Sequence, residues 1–87
     1  EEAGQALGLP AQTARLLALQ TAFGAARMAL ESSDDAAVLR QRVTSPGGTT
    51  EKALAVLENG RLRALFHDAM SAARDRSREL ADQLGAD

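Results

Sequence analysis

Leucine and alanine make up almost all of the apolar material in this chain, and that fact limits the fold more than any other. Of 87 residues, 39 are apolar: nineteen Ala, thirteen Leu, three Val, two Phe and two Met. Strands draw on β-branched and aromatic side chains, whereas Ala and Leu are strong helix formers. Three Val and five Thr cannot furnish a sheet, so the expected fold is all-α. With no Cys in the sequence, disulfide scaffolds, thiolate-held zinc and thiol catalysis are excluded. The same absence fits a reducing compartment, and a cytoplasmic location is expected.

Twelve acidic residues against ten basic ones leave a net charge of −2. Nucleic-acid binders carry a basic excess, so no nucleic-acid partner is expected. The apolar stretch Leu16–Ala26 is far shorter than the ~20 residues that a membrane span requires. No secretory leader is visible, and no membrane partner is expected. The chain opens on Glu1-Glu2, without Met and already in a helical pattern. That opening points to a piece of a longer protein. A domain of this size buries only about 60–65% of its unfolded surface, so a helical one often needs a partner.

Five helices are legible. Glu1 to Leu7 forms a short one, stopped by Gly8-Leu9-Pro10: Gly suits the position after a C-cap and Pro the first turn that follows. The second runs from Ala11 to Ser32, with Leu16, Leu19, Phe23, Ala26 and Leu30 spaced as one buried stripe. Leu17, Ala18, Ala22, Ala25, Met28 and Ala29 carry apolar character around much of the remainder. A helix apolar nearly all round is covered on several sides, more cover than this chain can supply. The third, Asp34 to Val43, follows cap oxygens in Ser32-Ser33-Asp34-Asp35 and places Val38 and Leu39 inward. The fourth begins at Thr49 or Thr50 and ends at Asn59-Gly60, with Ala53, Leu54, Val56 and Leu57 on its apolar face. The fifth, Leu62 to Leu84, has a stripe through Leu65, Phe66, Ala69, Met70, Ala73, Leu80 and Leu84. Its opposite face is charged.

Thr44-Ser45-Pro46-Gly47-Gly48-Thr49-Thr50 is the segment suited to chemistry. Adjacent glycines let backbone approach a ligand closely. They stand directly before a helix, whose first N–H groups are unpaired and lie at the positive end of the dipole. Hydroxyls of Ser45, Thr49 and Thr50 add donors. Such a turn suits a small anion, a carboxylate or a phosphate. It lacks the lysine, the spacing and the preceding strand of a P-loop. An ordinary helix-connecting turn with a threonine cap is the competing reading.

The string Leu39-Arg40-Gln41-Arg42-Val43-Thr44-Ser45-Pro46-Gly47-Gly48-Thr49-Thr50, with Ala53-Leu54 and Leu57-Glu58 after it, resembles the signature of pyrroline-5-carboxylate reductases. Gly8-Leu9-Pro10, Gly24-Ala25-Ala26, Ala72-Ala73-Arg74 and Arg78-Glu79-Leu80 extend the likeness over essentially the whole chain, residues 1–87. The resemblance implies the family's C-terminal helical dimerisation and substrate-binding domain, intertwined with a second copy. It implies a homodimer or higher oligomer, with NADPH or NADH held mainly by an N-terminal Rossmann domain that this chain lacks. It also implies reduction of 1-pyrroline-5-carboxylate to L-proline. By the same resemblance, Ser45, Gly47, Gly48 and Thr49 hold the substrate carboxylate. Thr50 hydrogen-bonds the ring nitrogen and is the catalytic candidate. Where some members carry a carboxylate before the short third helix, Ser33 stands here, with Glu31 and Asp34 close by; helix capping is the other reading of all three.

Other polar residues point to nothing further. His67 is the only histidine and, without a carboxylate at i+3 or i+4, is a poor metal ligand; it is read as lying at the edge of the fifth helix's stripe. No metal site is expected. Arg74, Arg76 and Arg78 read as a solvated face; Arg74 and Arg78 share a side, and acids of this or another helix can pair with them. Glu51 and Lys52 read as first-turn surface residues. Two rival functions stay open: a non-catalytic helical homodimerisation module, and a related imine reductase.

Overall fold

The structure, a computed structural model, describes residues 1–85. Among them all regular structure is helical: α1 (Glu2–Ala6), α2 (Ala11–Glu31), α3 (Ala36–Arg42), α4 (Thr49–Asn59) and α5 (Leu62–Gly85). The expected all-α class, the five helices and their order are borne out. Boundaries agree to within two residues. No helix among the described residues is long and apolar enough to cross a membrane. The helices fall into two units, Glu1–Val43 and Thr44–Asp87.

In the first unit, Gly8 turns the chain between α1 and α2. It lies in the left-handed region at φ +104°, where Gly is tolerated without strain. The Gly8 N–H donates to the Gln5 carbonyl and the Leu9 N–H to the Gly4 carbonyl, both at 3.0 Å. This is the paired pattern of a Schellman motif. The turn brings α1 back onto α2 at Gly4 and Ala14. A Cβ on Gly4 would stand 3.2 Å from the Ala14 Cβ, so the two backbones meet across the smallest residues. Ala14 is consequently only 3% exposed. Near the other end of α2, Met28 and Ala29 face Leu39 of α3 and its C-cap residue Val43 across one apolar hollow. Leu39 is 8% exposed.

Apart from Ala14 and Leu39, the apolar residues described are not buried. The stripe expected to be buried on α2 (Leu16, Leu19, Phe23, Ala26, Leu30) is exposed, with Leu30 at 87%. Length explains this. At 1.5 Å per residue α2 is about 32 Å long, whereas α1 and α3 span about 8 and 11 Å. Two short helices cover two short patches. Val38, expected inward beside Leu39, is exposed. Neighbouring helical positions diverge by about 100°, and one narrow contact takes only one of them.

In the second unit α4 and α5 pack as an αα-hairpin. Asn59-Gly60 ends α4 as expected, with Gly60 as C-cap. The left-handed residue, however, is Arg61, at φ 60°. Its N–H donates to the Glu58 carbonyl at 3.0 Å. Gly60 serves by being small: a Cβ there would lie 3.2 Å from the Val56 carbonyl oxygen. Arg63 of α5 pairs with Glu58 of α4 at 3.2 Å across this corner. The α5 stripe residues Leu65, Phe66, Met70, Leu80 and Leu84 are exposed, because one α4 of eleven residues covers less than half of a 24-residue helix.

Replacing Gly8 by Ala forces a Cβ into the left-handed region. The expected loss is about 1–2 kcal/mol of stability. Urea unfolding followed by circular dichroism measures it.

Candidate functional site

The Ser45–Thr50 segment folds as its residue types require. Pro46 fixes φ for the first central position of a turn, and Gly47 supplies the positive φ, +73°, at the second. The Gly48 N–H then donates to the Ser45 carbonyl at 3.0 Å. This is the type II arrangement, with Pro and Gly where that turn favours them. Gly48 has a different duty. Its φ of −82° is ordinary and it is the N-cap of α4. A Cβ at Gly48 would stand 2.9 Å from the Ser45 Oγ and 3.1 Å from the Ser45 carbonyl oxygen. The serine side chain thus folds over the space that glycine leaves open.

The first rung of α4 is the Lys52 N–H to the Gly48 carbonyl, 3.3 Å. The N–H groups of Thr49, Thr50 and Glu51 precede the ladder, at the positive end of the helix. Thr49 and Thr50 are the first two residues inside the helix, so neither is the cap that the competing reading supposed. Their hydroxyls, and that of Ser45, enter no hydrogen bond among the described residues. Thr50 and Gly48 are half-buried, while Ser45, Gly47 and Thr49 are exposed. Ser45, Gly47, Gly48, Thr49 and Thr50 therefore converge on one helix terminus, with hydroxyls and leading N–H groups still open to a ligand.

Glu51 has a role that its reading as a surface residue missed. Its Oε1 accepts from the Gly47 N–H at 3.2 Å. Glu51 is three residues past the Gly48 cap, but its carboxylate takes the N–H one residue before that cap, not the cap N–H that a capping box uses. The Gly48 N–H is already engaged by the Ser45 carbonyl, and no spacing rule announces the Gly47 contact.

Ser33, Glu31 and Asp34 lie in the Glu1–Val43 unit, whereas the turn belongs to the other. None of the three caps α3. Asp35 does, its side chain accepting from the Val38 N–H at 3.1 Å. Glu31 pairs with Arg27 at 2.8 Å, and Asp34 with Arg42. The Ser32 Oγ accepts from the Asp34 N–H at 3.1 Å. Ser33 is exposed. His67 is not at the margin of a covered stripe: its side chain is 81% exposed and lies 3.8 Å from Asp68. On α5, Arg74 pairs with adjacent Asp75 and Arg76 with Glu79, each at 3.0 Å, in a solvated face worth little to stability. Arg74 thus pairs with an acid of its own helix, one of the two sources expected. The described residues contain no group of three or more potential ligands able to hold a metal.

A helical chain with a glycine-turned helix terminus and uncovered apolar faces has the make-up of an assembly domain. Residues 1–80 match the family model for pyrroline-5-carboxylate reductase dimerisation, and the chain belongs to that family. It is 54% identical over 97% of its length to a pyrroline-5-carboxylate reductase of Pseudomonas aeruginosa. It is 46% identical over 92% of its length to that of Arabidopsis thaliana. It covers 31% and 29% of those relatives, so it spans about a third of their length. The structure of a pyrroline-5-carboxylate reductase from Coxiella burnetii superimposes with a TM-score of 0.87 at 58% identity, over 91% of this chain and 29% of that one. A Plasmodium falciparum pyrroline carboxylate reductase, crystallised with NADP bound, gives 0.85 at 32% identity, over 87% and 31%.

A Cβ at Gly47 would cost about 1–2 kcal/mol in its left-handed conformation. In Gly47→Ala the turn opens, and the Gly48 amide exchanges with solvent faster than in the parent. Native-state hydrogen exchange measures this.

Proposed function

We propose that this chain, residues 1–87, is the C-terminal dimerisation and substrate-binding domain of a pyrroline-5-carboxylate reductase, and that the Ser45–Thr50 turn holds the substrate. The observation that carries this reading is the turn itself: three unengaged hydroxyls and the leading N–H groups of α4 beside Gly47, whose Cβ position is open, and Gly48, whose missing Cβ makes room for the Ser45 hydroxyl. The substrate, 1-pyrroline-5-carboxylate, presents a carboxylate beside a ring imine. A carboxylate is favoured at a helix N-terminus by the dipole and by the unpaired donors. The Thr49 N–H and the Ser45 hydroxyl supply donors to it. Gly48, whose own N–H closes the turn, contributes its missing Cβ. Gly47 offers its N–H once the Glu51 carboxylate moves off.

Thr50 takes the chemical role. An imine accepts hydride when its nitrogen is protonated or hydrogen-bonded, and the half-buried Thr50 hydroxyl is suited to hold that nitrogen. A threonine hydroxyl is too weak an acid for efficient proton donation, so Thr50 orients the ring and polarises it. The nicotinamide, NADPH or NADH, supplies the hydride when bound. Nothing in this chain fits a dinucleotide: among the described residues no strand precedes a glycine-rich turn, which that fold requires. The cofactor is therefore held outside these residues, as is in keeping with a chain that covers about 30% of its relatives.

The uncovered faces of α2 and α5 support a homodimer. A second copy of the chain supplies the apolar cover that α1, α3 and α4 cannot. The lack of cysteine is in keeping with a cytoplasmic protein.

The complete protein, given a cyclic proline analogue and NADP+, should form reduced cofactor. A folded dimer that forms none contradicts the reading. Thr50→Val should lower kcat by about ten- to a hundredfold, the worth of one hydrogen bond to a charged group, with the dimer intact by light scattering. An unchanged rate removes Thr50 from the chemistry.

A further inference from the structure

We propose that Glu51 is a specificity-determining residue: a resident carboxylate that occupies the Gly47 N–H in the empty site and must be displaced by the carboxylate of the substrate. The inference rests on the function proposed above and adds a competitor to it. Its basis is the 3.2 Å hydrogen bond from the Gly47 N–H to the Glu51 Oε1. That donor belongs to the left-handed residue of the turn, one of the groups assigned to the substrate. Glu51 stands in the first turn of α4, where the helix dipole favours one negative charge. A second carboxylate arriving at the same terminus meets both an occupied donor and a like charge.

The Glu51 side chain is free to leave. It is exposed, and among the described residues the Gly47 N–H is its one hydrogen-bond partner. Swinging into solvent uncovers the donor without disturbing the turn, because the Gly48 N–H to Ser45 carbonyl bond closes the loop independently. Ligands without a carboxylate leave Glu51 in place. Glu51 thus raises the threshold for anionic substrates and acts on binding, leaving the reacting atoms alone.

The test is steady-state kinetics of the complete enzyme and two variants, Glu51→Gln and Glu51→Lys. The amide of Gln keeps an acceptor for the Gly47 N–H but removes the charge. At low ionic strength its KM for 1-pyrroline-5-carboxylate should fall about threefold, the factor a like charge about 6 Å away imposes in a water-like dielectric. The kcat should hold. Charge reversal in E51K should lower KM further. Both differences should shrink as salt is added. KM for 1-pyrroline, the same ring without its carboxylate, should not move. A purely structural clamp predicts otherwise: E51Q would match the parent and E51K would raise KM. An E51Q KM equal to or above the parent's, in an enzyme of unchanged thermal stability, overturns the inference while leaving the reductase reading intact. A parent protein without activity overturns both.

Discussion

Uncovered apolar helix surface is the constraint on which the rest of the molecule depends. Burial is sparse in each unit: two apolar residues, Ala14 and Leu39, in the first, and no residue among those described in the second. Burial of apolar area is the main driving force of folding, at about 25 cal/mol per Å². A chain that leaves Phe23, Leu30, Met70 and Leu84 exposed forgoes most of that force. Helix propensity and good termini hold its elements together locally, through the Schellman turn at Gly8 and the Asp35 cap of α3. The remaining stability has to come from apolar surface outside each unit, which the proposed dimer would supply. Small residues ease such an approach, as Gly4 and Ala14 already do between α1 and α2.

The same economy appears at the proposed binding turn. Nothing large shapes it. Pro46 and Gly47 set the backbone, Gly48 leaves room for the Ser45 side chain, and the helix that follows provides donors with no intrahelical partner. The turn is therefore rigid in backbone and open in side chain, which suits recognition of a small rigid anion by donors fixed before it arrives. Glu51 fits the same logic as an internal anion at the same terminus.

Much of the fold was legible because its signals are local. Ala and Leu content excluded a sheet. Gly8-Leu9-Pro10 and the paired glycines marked helix ends to within two residues. Burial was not legible, because the 3.6-residue stripe on α2 or α5 says that a face will be covered without saying by what. Leu16 through Leu30 form a correct stripe that this chain leaves bare. Arg61 shows a second limit. Asn59-Gly60 marked the end of α4 correctly, but no residue type announced that the left-handed φ falls on Arg61. At the site, the residue types of Ser45–Thr50 pointed to an anion-binding terminus. The link from Glu51 to Gly47 escaped because it reaches past the N-cap to the residue before it, a contact that capping spacing does not signal. The ion pairs of Glu31 and Asp34 depend on rotamers that sequence spacing does not set.

The most direct test of the central claim, that the α4 terminus is the carboxylate site, is a titration of the complete dimeric protein with L-proline, followed through isotope-labelled glycine and threonine amides. Saturable shifts concentrated at Gly47, Gly48, Thr49 and Thr50 are the predicted result. Saturable shifts that spare these four amides, or no shift in an enzyme that proline demonstrably inhibits, would place the substrate elsewhere and contradict the account.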